Sequence, residues 1–492
     1  VFEQLKKLAS QTALYGLSSI LGKVLNFLLV PLHTMVLSQS AYGINTDFYV
    51  LIAFLIVVLT YGMETAFFRF SEKHPQNKEA VYSTALISII ASTVLFIGLS
   101  AVLLNPITHA LKYDSNPSYV FLLLMILAID ALAAIPFARL RAQNRAARFV
   151  AIKLTLIGTN IFFNVLFFAP ALINQALPFD LLPYWFGANL GVGYIFLANL
   201  MASSIMLIML LPEMYKTKPV FSKTLWRAML VFGVPLMISG LAGVANEMLD
   251  RQLLKYLLPE NTWQAQVGIY GAVYKLSIFL VLFNQAFRYA AEPFFFSTER
   301  QTQAKETFAT VMTYFVMVMA TGYVFVMAYL DLIKYFIDQK FWEGLHIVPI
   351  LLVANVFLGI NTNLSFWYKL SDKTNWAIVI TGFGLLLTVG FNIWLIPKMG
   401  YVGAAWATLI SYAGMMVLSF FMGQRFYPIP YKTGKILLVL ILAFTLGGFA
   451  YHFAKHTFVP QTAFFLLFLG ILSFIERKSL AKFTQRIRGR NA

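Results

Sequence analysis

The 492-residue chain contains no cysteine, which excludes a disulfide framework and any thiolate-held metal centre. Charge is scarce as well: 12% of the residues are Asp, Glu, Lys or Arg, about half the share found in soluble domains. So few charged side chains cannot cover a folded surface in water, and a soluble enzyme is excluded. The six histidines are scattered, and of these only His452 and His456 stand four apart. They lie at the end of an apolar stretch and read as interfacial residues, so neither a metal site nor a cofactor is expected. No phosphate loop and no G-x-S-x-G motif occurs, so ATP-driven transport by this chain alone is not expected. No connection between apolar stretches is longer than about 20 residues, which leaves no room for an inserted soluble domain. A membrane glycosyltransferase or glycan polymerase needs an external loop rich in catalytic side chains. Here the longest such loop, PALINQALPFDLLPY (170–184), holds one acid, Asp180, so the chain is not expected to be an enzyme.

What the chain has in quantity is apolar sequence, 60% of the total. A helix needs about 20 apolar residues to cross a bilayer. Fourteen stretches qualify: 9–34, 45–66, 82–104, 118–137, 149–170, 184–211, 227–249, 264–288, 308–330, 345–366, 376–396, 402–424, 434–452 and 459–475. The first is too long for the core of a signal peptide and no A-x-A site follows it. The expected fold class is therefore an all-α polytopic membrane protein with 14 transmembrane helices. Of the 37 Lys and Arg, 28 fall at the two termini or at, or within a few residues of, the even-numbered connections. Seven (Lys112, Arg251, Lys255, Lys334, Lys340, Lys398 and Lys455) fall at odd-numbered ones, and Lys23 and Lys275 fall inside spans. This bias places both termini in the cytoplasm and requires an even number of spans. The net charge of +17 is thus a topology signal, with no nucleic-acid partner expected. The basic tail ERKSLAKFTQRIRGR (476–490) can also touch anionic membrane lipid.

Shifted by 228 residues, the chain matches itself in places. GMETAFFRF (62–70) lies over AAEPFFFST (290–298), LRAQNRA (140–146) over YKLSDKT (368–374), and FFNVLFF (162–168) over GFNIWLI (390–396). Glu64 then faces Glu292 and Asn164 faces Asn392. A 19-residue insertion in the first half shifts the register afterwards, bringing GVGY (191–194) near GYVGA (400–404). Six spans per repeat is an even number, so the halves share one orientation, as in transporters that bind substrate between two bundles. The expected division is a six-helix lobe over 1–220, a second over 221–430, and an appendage of two spans and a basic tail over 431–492.

The segments ASQTALYGLSSILGKVLNFLLVPLHT (9–34), SAYGI (40–44), FGVPLMISGLAGVANEMLDRQLL (232–254) and VGIYGAVYKLS (267–277) carry a family resemblance. With its G-x-P-L opening and Asp250-Arg251 ending, the chain resembles the polysaccharide and lipid-linked oligosaccharide flippases of the multidrug/oligosaccharidyl-lipid/polysaccharide (MOP) exporter superfamily. The resemblance covers essentially the whole chain. It implies two pseudo-symmetric six-helix lobes in a V around a central cavity, and export of an undecaprenyl-pyrophosphate-type lipid-linked glycan by a monomer in the bacterial inner membrane. It also implies basic side chains on spans 1 and 8 lining the cavity, as in the lipid II flippases.

Charges inside the spans name the candidate residues. Lys23 and Lys275 each lie roughly 15 Å from the outer end of their span at 1.5 Å per residue. One comes from each expected lobe, and together they can hold a pyrophosphate between them. Alternatively each snorkels or pairs with a carboxylate. Asn26, one turn beyond Lys23, can donate to a sugar or phosphate, or to a neighbouring helix. Glu247, Asp250 and Arg251 cluster at the outer end of span 7, where Glu247 and Arg251 have pairing spacing; they form an outer gate or an interfacial ion pair. Glu64 and Glu292, near Arg69 and Arg288, form an inner gate or cap helix ends. Asp130, in mid-span 4, carries a coupling proton or Na⁺, or makes a polar helix contact. Outward movement of an anion is favoured by about 2.3 kcal/mol per charge for each 100 mV of membrane potential.

These readings point to a flippase for surface-polysaccharide precursors: O-antigen, capsule or exopolysaccharide units. The alternatives are a lipid II flippase and a multidrug cation antiporter of the same superfamily.

Overall fold

A computed structural model describes residues 24–25, 27–176, 191–215, 218–299, 303–453 and 458–477. Among them there is no strand. In a lipid core every backbone N–H and C=O must bond within its own segment, and helices do this without partners.

Among the described residues, twelve helical segments are long and apolar enough to cross a membrane: Gln39–Lys73, Pro75–Val102, Pro117–Ala142, Ala146–Pro170, Gly193–Tyr215, Lys223–Leu257, Trp263–Tyr289, Ala304–Ala328, Gln339–Leu370, Asn375–Met399, Tyr401–Phe426 and Thr433–Phe453. They are the expected spans 2 to 13. A shorter apolar helix, Val459–Ile475, lies where span 14 is expected. Most of span 1 is outside the described residues, and its last part is the helix Leu29–Val36.

The helices outrun their apolar stretches. Span 2, expected at 45–66, begins at Gln39, where the Ser38 hydroxyl accepts from Ala41 N. At its other end the chain turns left-handed at Tyr61 (φ 34°) and Gly62 (φ 72°) before helix Met63–Lys73 continues it. A Cβ on Gly62 would lie 2.3 Å from the Gly233 carbonyl oxygen, so glycine here serves both the backbone angle and the close crossing of spans 2 and 7. Span 7 is a 35-residue helix, Lys223–Leu257, against the expected 227–249. Its last two turns contain Asp250, Arg251, Gln252 and Lys255, all buried. Hydropathy alone cannot follow a helix through such residues.

Helix packing groups the chain into two compact units, Val1–Gly271 and Ala272–Ala492. Span 7 and the first part of span 8 thus pack with spans 2 to 6. In the first unit, Met63, Ala66, Phe67 and Phe70 of span 2 form a core with Val81, Tyr82, Ala85 and Ile89 of span 3 and with Met229 of span 7. In the second, Phe295 stacks on Phe308 and Phe366, and Trp367 packs against Ile380, Tyr412 and Met415.

The 228-residue offset recurs as local geometry. Asn144 and Asp372 both have φ 55°. Beyond them, Arg145 N donates to Leu140 O and Lys373 N to Tyr368 O, each at 2.9 Å. Asn164 and Asn392 are both fully buried, and each amide donates to the carbonyl four residues back, at 2.8 and 2.7 Å.

Candidate functional site

The functional candidates are charged side chains along the spans, grouped at two ends and one middle.

At the end carrying the odd-numbered connections, Asp47 of span 2 and Lys255 of span 7 are both completely buried, with Nζ 2.6 Å from Oδ2. Tyr113, in the connection before span 4, donates to the same oxygen at 2.6 Å, and Gln252 Nε2 donates to Oδ1 at 2.6 Å. The Lys255 ammonium also lies over the rings of Tyr113 and Trp263, 4.5 and 5.0 Å from their centroids. Every charge in this box has a hydrogen-bond partner, as a buried ion pair requires. Burial first, and then the Asp47 carboxylate beside it, holds the Tyr113 hydroxyl protonated well above the usual phenol range.

One turn earlier, Asp250 is buried and accepts from Tyr270 OH of span 8 at 2.5 Å. Arg251 reaches back to the Asp250 carboxylate (3.1 Å) and to the Glu247 carbonyl (2.9 Å). The expected outer-gate trio is therefore partly assembled. Asp250 and Arg251 are joined to each other and to span 8, whereas Arg251 meets the backbone of Glu247, whose side chain is exposed.

Asp47 is absent from the residues that the sequence singles out, and Lys255 stands there as a connection cation. One signal was available: Asp47 is an acid one turn into an apolar helix. Nothing in the sequence pairs it with a residue 208 positions away.

At the opposite end, Glu64 pairs with Arg141 of span 4 at 2.6 Å, while Arg69 stacks on Phe232 of span 7 at 4.2 Å. Arg288 is exposed and lies 5.8 Å from the Tyr289 ring centroid, and the side chain of Glu292 is outside the described residues. Of the expected inner-gate set, the structure thus brings Glu64 to Arg141, a residue outside that set. Several cations read only as topology signal are tied to acids. Arg139 forks onto both oxygens of Glu79 at 2.9 and 2.8 Å. Arg145 and Arg148 converge on Glu213, whose side chain is 2% exposed, at 2.9 and 3.2 Å.

Asp130 accepts from Ser203 Oγ of span 6 at 2.9 Å. Lys153 of span 5, counted as a connection cation, lies over Phe137 at 4.4 Å and within electrostatic reach of Asp130, Arg141 and Glu64.

At mid-span, Lys275 is exposed and begins a 3-10 turn, Lys275–Ser277, that divides the 27-residue span Trp263–Tyr289 near its centre. Lys23 and Asn26 lie outside the described residues. Among the described residues no group of three or more His, Asp or Glu could hold a metal ion.

The family model for polysaccharide biosynthesis proteins matches residues 8–299, more than half of the chain. Comparison with curated proteins gives no match. Among solved structures, the chain is similar to the lipid II flippase MurJ in an inward closed conformation. The TM-score is 0.71 and the identity 16%, with 96% of this chain and 99% of that one covered. It is also similar to a multidrug resistance MATE family transporter of the MOP superfamily in an inward-facing conformation, with a TM-score of 0.66, 14% identity, and 85% and 95% covered. The outward-facing form of a MATE family transporter gives a TM-score of 0.54 at 15% identity. The chain belongs to the polysaccharide biosynthesis protein family and has the all-helical, membrane-spanning fold of the MOP transporters.

Proposed function

We propose that the protein is a flippase that carries a polyprenyl-pyrophosphate-linked oligosaccharide across the bacterial inner membrane by alternating access, for surface-polysaccharide assembly. The observation that carries this reading is Lys275, an exposed cation at the centre of a span where the helix tightens into a 3-10 turn. A mid-membrane ammonium is expensive in lipid and economical facing water and an anion. In a family devoted to polysaccharide biosynthesis, the anion with the right chemistry is the diphosphate joining glycan to lipid. Lys23 and Asn26 of span 1 are assigned to the same group by their depth in the sequence.

The charge bias makes the odd-connection end the outer one. Asp47–Lys255 and Asp250–Arg251–Tyr270 then hold an outer closure, and Glu64–Arg141 belongs to the inner end. Asp130 is the candidate for ion coupling. The cargo moves outward as a monomeric protein cycles.

Deleting the protein in its host should deplete surface glycan and accumulate the lipid-linked precursor. Wild type should restore export, Lys275→Ala should fail at equal protein level, and Lys275→Arg should restore it in part. Normal surface glycan in the deletion strain would overturn the reading. Accumulated lipid II would move the cargo to peptidoglycan, and lost extrusion of cationic drugs would favour the antiporter.

A further inference from the structure

The acids of the first unit are placed unevenly. Arg139, Arg141, Arg145 and Arg148, all near the even-connection ends of spans 4 and 5, are held by Glu79, Glu64 and Glu213. At the same end of span 7, Lys223 and Arg227 are exposed and have no carboxylate partner among the described residues. They line a cleft of about 560 Å³ with Thr224, Ala228 and Val231, a volume in the range of small-ligand pockets. Arg69 lies close by on span 2, stacked on Phe232, the residue after Val231.

The arrangement along the helix is directional. Lys223, Arg227 and Val231 are four apart and share one face. At about 1.5 Å per residue, the two cations sit roughly 6 Å apart, with the apolar position a further 6 Å towards the membrane interior. Charge at the surface and apolar wall below match a lipid whose head is a phosphate anion. Arg227 can grip such a head through two parallel N–H···O bonds, and Lys223 can add a point charge.

We propose that this cleft is a loading site for the diphosphate of the lipid-linked cargo, occupied before the diphosphate reaches mid-membrane. The inference rests on the flippase reading and adds a second, shallower anion site to it. The site is made by span 7 and lies at the even-connection end, whereas Lys275 is central in span 8. Because Lys223 and Arg227 are exposed and have no carboxylate partner among the described residues, neutralising them removes affinity without disturbing a buried network.

The test uses the purified full-length protein in neutral-lipid nanodiscs, with farnesyl diphosphate as probe and native mass spectrometry as readout. Lys223→Gln/Arg227→Gln should weaken binding at least tenfold. Lys223→Arg/Arg227→Lys, which keeps both charges, should stay within threefold of wild type, and farnesol should bind all forms equally weakly. Unchanged binding in the Gln pair, with loss in Lys275→Ala, would overturn the loading site and leave the flippase reading intact. Displacement of the probe by equimolar phosphatidylglycerol would overturn it too, as it would mark a site for bulk anionic lipid. Absence of diphosphate binding by wild type, together with normal export in a deletion strain, would overturn both.

Discussion

Lys255 Nζ lies 2.6 Å from Asp47 Oδ2, and neither side chain has exposed surface. The pair joins span 2 to the end of span 7 with Tyr113 and Gln252 completing the carboxylate's bonds. Removing one partner strands a buried charge, at a cost of about 3–5 kcal/mol, whereas removing both leaves only polar groups to re-pair. Lys255→Met should therefore lower the unfolding temperature of the purified protein more than Asp47→Asn/Lys255→Met does. Equal losses would show that the two residues do not depend on each other.

The Tyr113 hydroxyl gives a pH signature. Its folded pKa is raised above the ordinary phenol value of 10.0 by burial and then by Asp47. The associated stability is whole below pH ~10, where folded and unfolded chains are both protonated. Above it the unfolded chain loses its proton first, so stability falls by about 1.4 kcal/mol per pH unit until the folded pKa is reached. Tyr113→Phe should start less stable at pH 8 and decline less steeply in alkaline unfolding. A parallel decline would remove Tyr113 as the source.

Span 2 approaches the start of span 8 through two glycines. A Cβ on Gly43 would lie 1.8 Å from Gln264 O, and one on Gly268 would lie 2.0 Å from Gln39 O. Both obstacles are backbone, which cannot swing aside. Gly43→Ala and Gly268→Ala should each cost about 1–3 kcal/mol by forcing the helices apart. Gly243→Ala, where a Cβ meets nothing within 4 Å, should be neutral or slightly stabilising, since Ala is the better helix former. Thermal unfolding of the three variants side by side decides it.

The repeat supplies an internal control. Asn164 and Asn392 make the same bond to the carbonyl four residues back, but Asn164 Oδ1 also accepts from His33 Nε2 at 2.8 Å. Asn164→Ala should therefore destabilise by about 1 kcal/mol more than Asn392→Ala, because it also removes a buried hydrogen bond to the His33 imidazole. Similar losses would mean that the His33 contact contributes little.

Much of this was legible in the amino-acid order. The spans show because lipid demands long apolar helices. The repeat shows because two turns that need the same left-handed residue kept Asn144 and Asp372 at one offset. Asp250 and Arg251 were legible as a cluster because they are adjacent. The partner of Glu64 was not: the nearby Arg69 was the natural candidate, yet Arg69 stacks on Phe232 and Arg141 arrives from another helix. Lys153 and Lys255 looked like connection cations because hydropathy assigns a charged residue to the nearest loop.

The sequence by itself determined class, span pattern and charge bias, since these depend on local composition and on the energetics of one helix in a bilayer. The tertiary structure alone decided which charges are buried, which are matched and which are exposed. Those outcomes depend on which helix faces meet, and ion pairs such as Lys255–Asp47 join residues some 208 positions apart, a separation over which no local spacing rule operates.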